Sequence, residues 1–222
     1  MLHAKPKEDE YRHKGLRREL VKVLREKGIT DERVLAAIEN IPRHFFLDTA
    51  FERIAYEDRA FPIAAGQTIS QPFTVAHQTQ LLELKKWDKV LEIGTGSAYQ
   101  SCVLAEMNTT VYTIERQREL YDFVGGFFFL SKYPTVKRFF GDGFIGLPSF
   151  GPFDKIIITA AAPYIPPKLV EQLKPGGIMV VPVGDEHGQK MLRLFKNADG
   201  SIRQEELGEA SFVPMLTGKA QG

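Results

Sequence analysis

Near the middle of the chain, residues 90–99 combine a strand-like run with a glycine turn. Residues 90–93 have β-strand character, Gly94 and Gly96 follow, and residues 100–107 have the pattern of a helix. Glycine lets the backbone turn tightly and approach a ligand closely, because it has no Cβ. A strand, a Gly-x-Gly turn and a helix in this order are typical of a nucleotide-cofactor site in a parallel α/β sheet. The turn alone is a weak signal, since an ordinary strand–helix connection can also contain these glycines.

The residues around the turn indicate which cofactor it would hold. A dinucleotide turn has a small residue three positions after the second glycine, but this chain has the large Tyr99 there. Glu92, two residues before Gly94, suits a cofactor with a cationic group and no phosphates. S-adenosylmethionine carries an ammonium, a sulfonium and a ribose, so we expect it as the cofactor.

Two more acidic residues stand at the ends of predicted neighbouring strands. Glu115 ends the strand-like residues 111–115, at about the 20-residue spacing where an acid meets the ribose hydroxyls in this architecture. Asp142 lies between two glycines after residues 136–140, where its carboxylate could accept a hydrogen bond from an adenine amino group. Three acids at three strand ends are much less readily explained by chance than one, so we expect all three at the cofactor.

Length and composition exclude several classes of function. The chain has 222 residues, which suits one α/β domain with a small extension, and its 29 basic and 28 acidic residues give no charge pattern typical of nucleic-acid binding. Cys102 is the single cysteine, so an internal disulfide and a multi-cysteine metal site are excluded, and we expect a cytoplasmic protein without a metal. We see no apolar targeting signal and no membrane-spanning stretch, and expect no membrane partner.

Apolar periodicity and turn residues predict the remaining elements. Two helices before the first strand form an N-terminal helical extension, residues 1–60, which we expect to pack on a core of residues 61–222. The alternation of strands and helices in that core predicts a doubly wound, mostly parallel α/β sheet with helices on both faces. The predicted helices are 14–26, 30–42, 73–84, 116–132 and 166–173, and the later strands are 153–159, 178–183 and an antiparallel pair, 191–195 and 202–207.

The predicted helix 116–132 contains an unusual run of three phenylalanines. Phe127, Phe128 and Phe129 follow two glycines, and at about 100° per residue they cannot all face one core. Either one edge of the run is exposed or a partner covers it. We expect a monomer, with a possible interface at Phe127–Phe129.

A long segment before the glycine turn resembles a known family. Residues 62–72 read Pro-Ile-Ala-Ala-Gly-Gln-Thr-Ile-Ser-Gln-Pro, which is similar to the signature loop of the protein-L-isoaspartate O-methyltransferases, class I methyltransferases with a Rossmann-like fold. The similarity continues through residues 154–161, 172–177, 182–184 and 212–215 and covers most of residues 16–216. Ala64 and Ala98 stand where the family usually has glycine.

The resemblance implies an activity and an acceptor site. It implies methyl transfer from S-adenosylmethionine to the α-carboxylate of L-isoaspartyl residues in damaged proteins and peptides, with S-adenosyl-L-homocysteine as product. Such a carboxylate has a pKa of about 4 and needs no general base, so the enzyme's task is to position it. Ser70, as the catalytic residue, and Thr68 are the candidate carboxylate contacts, although a serine before Pro72 could instead cap the following helix.

Other residues join these as candidate contacts. The resemblance suggests that Ile69 and the backbone around Val213 and Pro214 lie beside the acceptor peptide. Two alternatives stay open: a methyltransferase acting on a small-molecule carboxylate or hydroxyl, and an inactive cofactor-binding interaction module. The residues expected at the cofactor are Gln67, Glu92, Gly94, Thr95, Gly96, Ser97, Glu115, Arg116, Asp142, Gly143 and Thr159.

Overall fold

A seven-stranded sheet forms the centre of the structure, a computed structural model that describes residues 7–221. The predicted extension and core include residues 1–6 and Gly222, which lie outside the described residues. The helices are α1 (Tyr11–Glu26), α2 (Glu32–Asn40), α3 (Pro72–Leu81), α4 (Tyr99–Glu106), α5 (Arg118–Gly125) and α6 (Pro167–Glu171). The strands are β1 (Phe61–Pro62), β2 (Thr68–Ile69), β3 (Lys89–Ile93), β4 (Thr110–Glu115), β5 (Val136–Phe140), β6 (Phe153–Ile158), β7 (Leu173–Asp185), β8 (Gly188–Lys196) and β9 (Ile202–Ala210).

The order of the strands confirms the doubly wound, mostly parallel sheet. The order is β5-β4-β3-β6-β7-β8-β9, with parallel pairing from β5 to β7 and antiparallel pairing of β7 with β8 and of β8 with β9. The central strands are buried on both faces, which accounts for runs such as Ile156–Ile158 that do not alternate with polar residues. Ile93 at the end of β3 pairs with Ile114 on one side and Ile158 on the other. The carboxyl ends of β3, β4 and β6 therefore meet at one edge of the sheet.

The N-terminal helices share their hydrophobic core with one face of the sheet. Leu24 of α1 and Ile38 of α2 belong to the same buried cluster as Val90 of β3 and Val103 of α4. Asp31 caps α2 by accepting a hydrogen bond from the Arg33 amide at 2.9 Å. The division of the chain at residue 60 stays a prediction.

The prediction of one helix over residues 116–132 is wrong. Helix α5 ends at Gly125, and residues 128–132 form a separate 3-10 helix. Two successive glycines make this break inexpensive, because they have a low helix propensity. The break lets Phe127 and Phe129 both pack against Phe46, whereas in a continuous helix these two residues would point about 200° apart.

The phenylalanine run packs largely within the chain. The Phe46 ring lies 5.0 Å from the Phe127 ring and 5.6 Å from the Phe129 ring, between centroids. Phe129 is 3% exposed, whereas Phe128 is 51% exposed and contacts Phe45 on one side. The run therefore anchors the N-terminal extension, and only Phe128 presents much apolar surface to solvent. Among the described residues, no helix combines the length and the apolarity needed to cross a membrane.

We expect Phe128 and Phe129, adjacent residues of this run, to differ strongly in their contribution to stability. Phe129→Ala should lower the free energy of unfolding by roughly 3–5 kcal/mol, because it leaves a cavity among packed aromatic rings. Phe128→Ala, the matched control, should cost only about 1 kcal/mol, because half of its side chain is already in water. Urea denaturation of both variants checks this, and equal losses would contradict the assignment of Phe129 as the anchor.

Candidate functional site

A pocket opens at the edge of the sheet where β3, β4 and β6 end. Four parts of the chain line it: the loop before α3, the glycine turn, the end of β4 and a segment near the C-terminus. The lining residues include Gln67, Thr68, Ile69, Ser70, Val75, Gly94, Thr95, Gly96, Ser97, Tyr99, Gln100, Glu115, Arg116, Gln117, Gly143, Thr159, Val213, Pro214, Met215 and Leu216. Nine of the eleven residues expected at a cofactor line this pocket, as do all five expected at an acceptor; Glu92 and Asp142 do not.

The glycine turn has a backbone conformation that a side chain would disturb. Gly94 and Gly96 have φ angles of +97° and +53°, in the left-handed region. A Cβ on Gly94 would lie 2.6 Å from Thr159 Oγ1, which is too close for any side chain. Thr159 Oγ1 lies 2.8 Å from the Gly94 carbonyl and 3.0 Å from the Ile93 carbonyl, so it donates to oxygens at the end of β3. The turn is thereby fixed as a cradle of bare backbone facing the pocket.

The carboxylate of Glu115 is held at the pocket wall by two backbone amides. Glu115 Oε2 accepts a hydrogen bond from the Gly96 N–H at 2.9 Å, and Oε1 accepts one from the Gln117 N–H at 2.8 Å. The residue is buried yet lines the pocket. Each carboxylate oxygen can accept a second bond, so Glu115 can still receive hydroxyl donors from a ligand.

The structure places Glu92 outside the pocket lining, and its contact with a cofactor stays a prediction. Glu92 has no exposed surface and does not line the pocket. The Ser101 hydroxyl donates to Glu92 Oε2, while Oε1 has no hydrogen-bond partner within residues 7–221. Burial raises the pKa of Glu92 to about 8, so the group is mostly a neutral acid at pH 7. Glu92 therefore presents no exposed carboxylate to the pocket in this structure.

Asp142 lies beside the pocket and binds the C-terminal segment. Its Oδ1 accepts from the Phe144 amide at 2.9 Å, and its Oδ2 accepts from the Gly218 amide at 2.7 Å. Arg116 holds the same segment from the other side, donating to the carbonyls of Thr217 at 3.3 Å and Gly218 at 3.2 Å. An adenine contact by Asp142 stays a prediction, and its neighbour Gly143 is the residue that lines the pocket.

The loop that carries Ser70 contains a small two-stranded antiparallel sheet and is not an irregular chain. Strands β1 and β2 pair antiparallel, with Phe61 opposite Ile69, and the Ile63 amide donates to the Gln67 carbonyl at 2.8 Å. This pairing presents Thr68 to solvent and leaves Ser70 half-buried at the pocket.

The cap of helix α3 is Asp58 and not Ser70. Asp58 Oδ1 accepts from the Phe73 amide at 2.7 Å, and Oδ2 accepts from Gln71 Nε2 at 3.0 Å and from Lys27 Nζ at 2.5 Å. In the part of the chain that the structure describes, the Ser70 hydroxyl makes no hydrogen bond to the helix. The competing interpretation of Ser70 as a capping residue therefore loses its basis.

Residues 213–215 pair with the chain just after β6. The Ala161 amide donates to the Val213 carbonyl at 2.8 Å, and the Met215 amide donates to the Ala161 carbonyl at 2.7 Å. Met215 is buried, whereas Pro214 is exposed at the rim of the pocket. These backbone bonds are already used within the chain, so an acceptor peptide could meet only the outer side of this segment.

Several lining residues were not expected from the sequence. Val75, Tyr99 and Gln100 form a wall between α3 and α4, and Leu216 extends the rim. Gln100 stands in the first turn of the helix after the Gly-x-Gly turn, which places it near the pocket, but its spacing does not indicate the direction of its side chain. The size of Tyr99 disfavours a dinucleotide turn, but the sequence alone did not predict that Tyr99 lines the pocket.

We expect Glu92 to make stability fall as the pH rises above the normal range of a glutamate. The folded pKa of Glu92, about 8, exceeds the usual glutamate value of 4.5, so between these values the folded state binds more protons than the unfolded state. Glu92→Gln should leave stability nearly unchanged near pH 4.5 and raise it by roughly 1–3 kcal/mol at pH 8. Thermal unfolding of both ligand-free proteins from pH 4.5 to 8 tests this, and a difference that does not grow with pH would contradict it.

Comparisons with known proteins agree with one another over most of the chain. Residues 15–221 match the family model described as protein-L-isoaspartate(D-aspartate) O-methyltransferase. Proteins named protein-L-isoaspartate O-methyltransferase from Cytophaga hutchinsonii and Christiangramia forsetii are 57% and 53% identical to the chain. The alignments cover 94% of this chain and 94% of the first protein, and 95% of this chain and 99% of the second.

Solved structures show the same fold. One named protein-L-isoaspartate O-methyltransferase superposes with a TM-score of 0.81 at 27% identity, over 89% of this chain and 65% of that one. A structure from Plasmodium falciparum, solved in complex with S-adenosyl-L-homocysteine, gives a TM-score of 0.78 at 24% identity over 92% of this chain and 98% of that one.

Proposed function

The chain belongs to the protein-L-isoaspartate(D-aspartate) O-methyltransferase family, and we propose that its pocket places S-adenosylmethionine against a carboxylate held by Ser70. Its activity is S-adenosylmethionine-dependent methyl transfer to the α-carboxylate of L-isoaspartyl residues in damaged proteins and peptides. Family membership over residues 15–221 favours this activity over a small-molecule acceptor or a module without chemistry. The observation that carries the proposed role of Ser70 is that this residue lines the pocket while its hydroxyl is not needed to cap α3, because Asp58 caps that helix.

The pocket fits the proposed cofactor. Bare backbone at Gly94 and Gly96 gives room for close approach, and Glu115 offers carboxylate oxygens to ribose hydroxyls. When bound, the cofactor supplies an electrophilic methyl group on a sulfonium. We propose that Gln67, Thr95, Ser97, Arg116, Gly143 and Thr159 complete its binding site, because they line the same pocket.

The acceptor side needs positioning rather than acid–base chemistry. An isoaspartyl carboxylate, with a pKa of about 4, is already ionised at neutral pH and can act as a nucleophile without losing a proton. Thr68 and Ser70 can donate hydroxyl hydrogens to it, which fixes one oxygen while the other faces the methyl group. Arg116 is the only cation among the described residues that line the pocket, and its guanidinium already binds backbone carbonyls. The accepting carboxylate is therefore not held in a strong ion pair that would reduce its nucleophilicity.

His77 does not serve as a base in this arrangement. Its ring stacks on Phe73 with centroids 5.4 Å apart, and it does not line the pocket. Burial lowers its pKa, so the ring is neutral and packs in the manner of an aromatic side chain.

We propose a monomeric cytoplasmic enzyme whose substrates are proteins and peptides with isoaspartyl residues. The buried free thiol of Cys102 supports a reducing compartment. The intramolecular packing of Phe127 and Phe129 supports a monomer, with Phe128 as the small remaining apolar surface.

We expect Ser70→Ala to lower kcat/KM for an isoaspartyl peptide by about 10-fold to 100-fold, because one hydrogen bond to a charged carboxylate is lost. The dissociation constant for S-adenosylmethionine should stay within about twofold, since Ser70 is assigned to the acceptor. Steady-state assays should use an isoaspartyl peptide and its aspartyl twin, with Ser149→Ala on the exposed surface as the matched control. Full activity of Ser70→Ala would remove this residue from the mechanism, and methylation of both peptides alike would overturn the proposed substrate.

We expect Glu115→Ala to weaken S-adenosylmethionine binding by about 10-fold to 100-fold, because ribose hydroxyls lose their acceptor. Calorimetric titration measures this directly, with Glu119→Ala, an exposed acid on α5, as the control for loss of charge. Circular dichroism should accompany the titration, since Glu115 also holds the Gly96 amide. Unchanged affinity in a folded Glu115→Ala protein would exclude Glu115 from the site.

A further inference from the structure

Gln100, one of the residues that line the pocket, has a buried amide oxygen without a hydrogen-bond partner among the described residues. Gln100 lies in the first turn of α4, is 8% exposed and lines the pocket. Its Nε2 donates to Thr79 Oγ1 at 2.9 Å, whereas its Oε1 is buried and accepts no hydrogen bond from any residue between 7 and 221. A buried carbonyl oxygen without a donor destabilises a protein, so this atom is a candidate ligand contact.

The orientation of the amide follows from the chemistry of its neighbour. Thr79 Oγ1 has one hydrogen and donates it to the Val75 carbonyl at 2.7 Å. Toward Gln100 the Thr79 oxygen can therefore only accept, and the side chain must present its NH2 group there. The reverse orientation would place two acceptor oxygens 2.9 Å apart. Gln100 Oε1 is thus fixed on the side away from Thr79.

The ammonium group of a cationic cofactor needs an acceptor besides the carboxylate of Glu115, whose remaining acceptor sites are proposed for the ribose hydroxyls. Glu115 is the only carboxylate among the described residues that line the pocket, and both of its oxygens already accept backbone amides. Glu92, the acid that the sequence suggested for a cationic group, lies outside the lining and is fully buried. A neutral amide oxygen placed in a buried wall can accept from an ammonium at little desolvation cost compared with a second carboxylate.

We propose that Gln100 Oε1 accepts a hydrogen bond from the α-ammonium group of S-adenosylmethionine and thereby positions the amino-acid end of the cofactor. This inference rests on the proposed function. The competing donor is a backbone N–H of the acceptor peptide. The peptide meets the exposed rim at Thr68 and Pro214, whereas Gln100 lies in the buried wall directly after the glycine turn, which favours the cofactor.

The test compares two ligands that differ only in the ammonium group. Calorimetric titration with S-adenosyl-L-homocysteine and with its desamino analogue, which has hydrogen in place of the ammonium, should be run on the wild-type protein and Gln100→Met. The wild-type protein should bind S-adenosyl-L-homocysteine about 10-fold to 100-fold more tightly than the analogue, as expected for a hydrogen bond to a charged group. Gln100→Met should lose most of that preference and bind the desamino analogue within about twofold of the wild-type value.

Gln78→Met is the matched control. Gln78 is also a buried glutamine with an unpartnered Oε1 among the described residues, but it does not line the pocket. Its variant should keep the wild-type preference for the ammonium group. If Gln100→Met folds too poorly to titrate, Thr79→Val tests the same assignment, because it removes the hydroxyl that orients the amide and should also reduce the preference.

The outcomes separate this inference from the function on which it rests. Equal losses of affinity for both ligands in Gln100→Met would show a packing role and overturn the inference. Unchanged cofactor binding with a raised KM for isoaspartyl peptides would assign Oε1 to the acceptor and also overturn it. Both results would leave the proposed function intact, whereas a folded wild-type protein that binds no S-adenosyl-L-homocysteine would overturn the function itself.

Discussion

The parallel alignment of β3 with β4 and β6 is the constraint on which the site depends. It brings Gly94, Glu115 and Thr159 to one edge of the sheet, although they are far apart in sequence. The contact between Thr159 Oγ1 and the Gly94 carbonyl then closes this edge, and it is possible only because residue 94 has no Cβ. The backbone ladder provides the alignment, and a single missing carbon atom provides the close approach.

The second organising contact is the carboxylate of Asp58, which connects three parts of the chain. It binds Lys27 after α1, the side chain of Gln71 and the amide of Phe73 at the start of α3. The N-terminal extension is therefore attached to the loop that carries Ser70. The aromatic contacts of Phe46 attach the same extension to Phe127 and Phe129, which follow α5, and to Tyr99 at the start of α4.

The sequence predicted those parts of the structure that depend on residues close together in the chain. The strand–turn–helix at Gly94, the acid at Glu115 and the alternation of strands and helices follow from residue types at fixed spacing, and the structure shows the fold they imply. The prediction of one helix over residues 116–132 was wrong because it relied on the periodicity of apolar residues. In the structure the two successive glycines end the helix.

The site residues that the sequence did not predict are those whose role depends on how deeply the side chain is buried and which way it points. Glu92 and Gln100 lie on either side of the glycine turn, and nothing in their spacing indicates that one is sealed below the turn and the other lines the pocket. Similarly, a serine before Pro72 looks like a cap until Asp58, many residues earlier, is seen to occupy that position. Such features arise from tertiary packing, which single-sequence patterns do not encode.

Asp58 caps α3, whereas the proposed role of Ser70 is to contact the substrate, and this separation of roles has an evolutionary consequence. One residue stabilises the start of α3, and another, in the loop just before that helix, is free to contact the substrate. With the proposed role of Ser70, mutations at position 70 change acceptor chemistry with little penalty in folding, while mutations at position 58 act on folding and loop geometry together. A lineage can explore new acceptors at this loop without first acquiring compensating stability elsewhere.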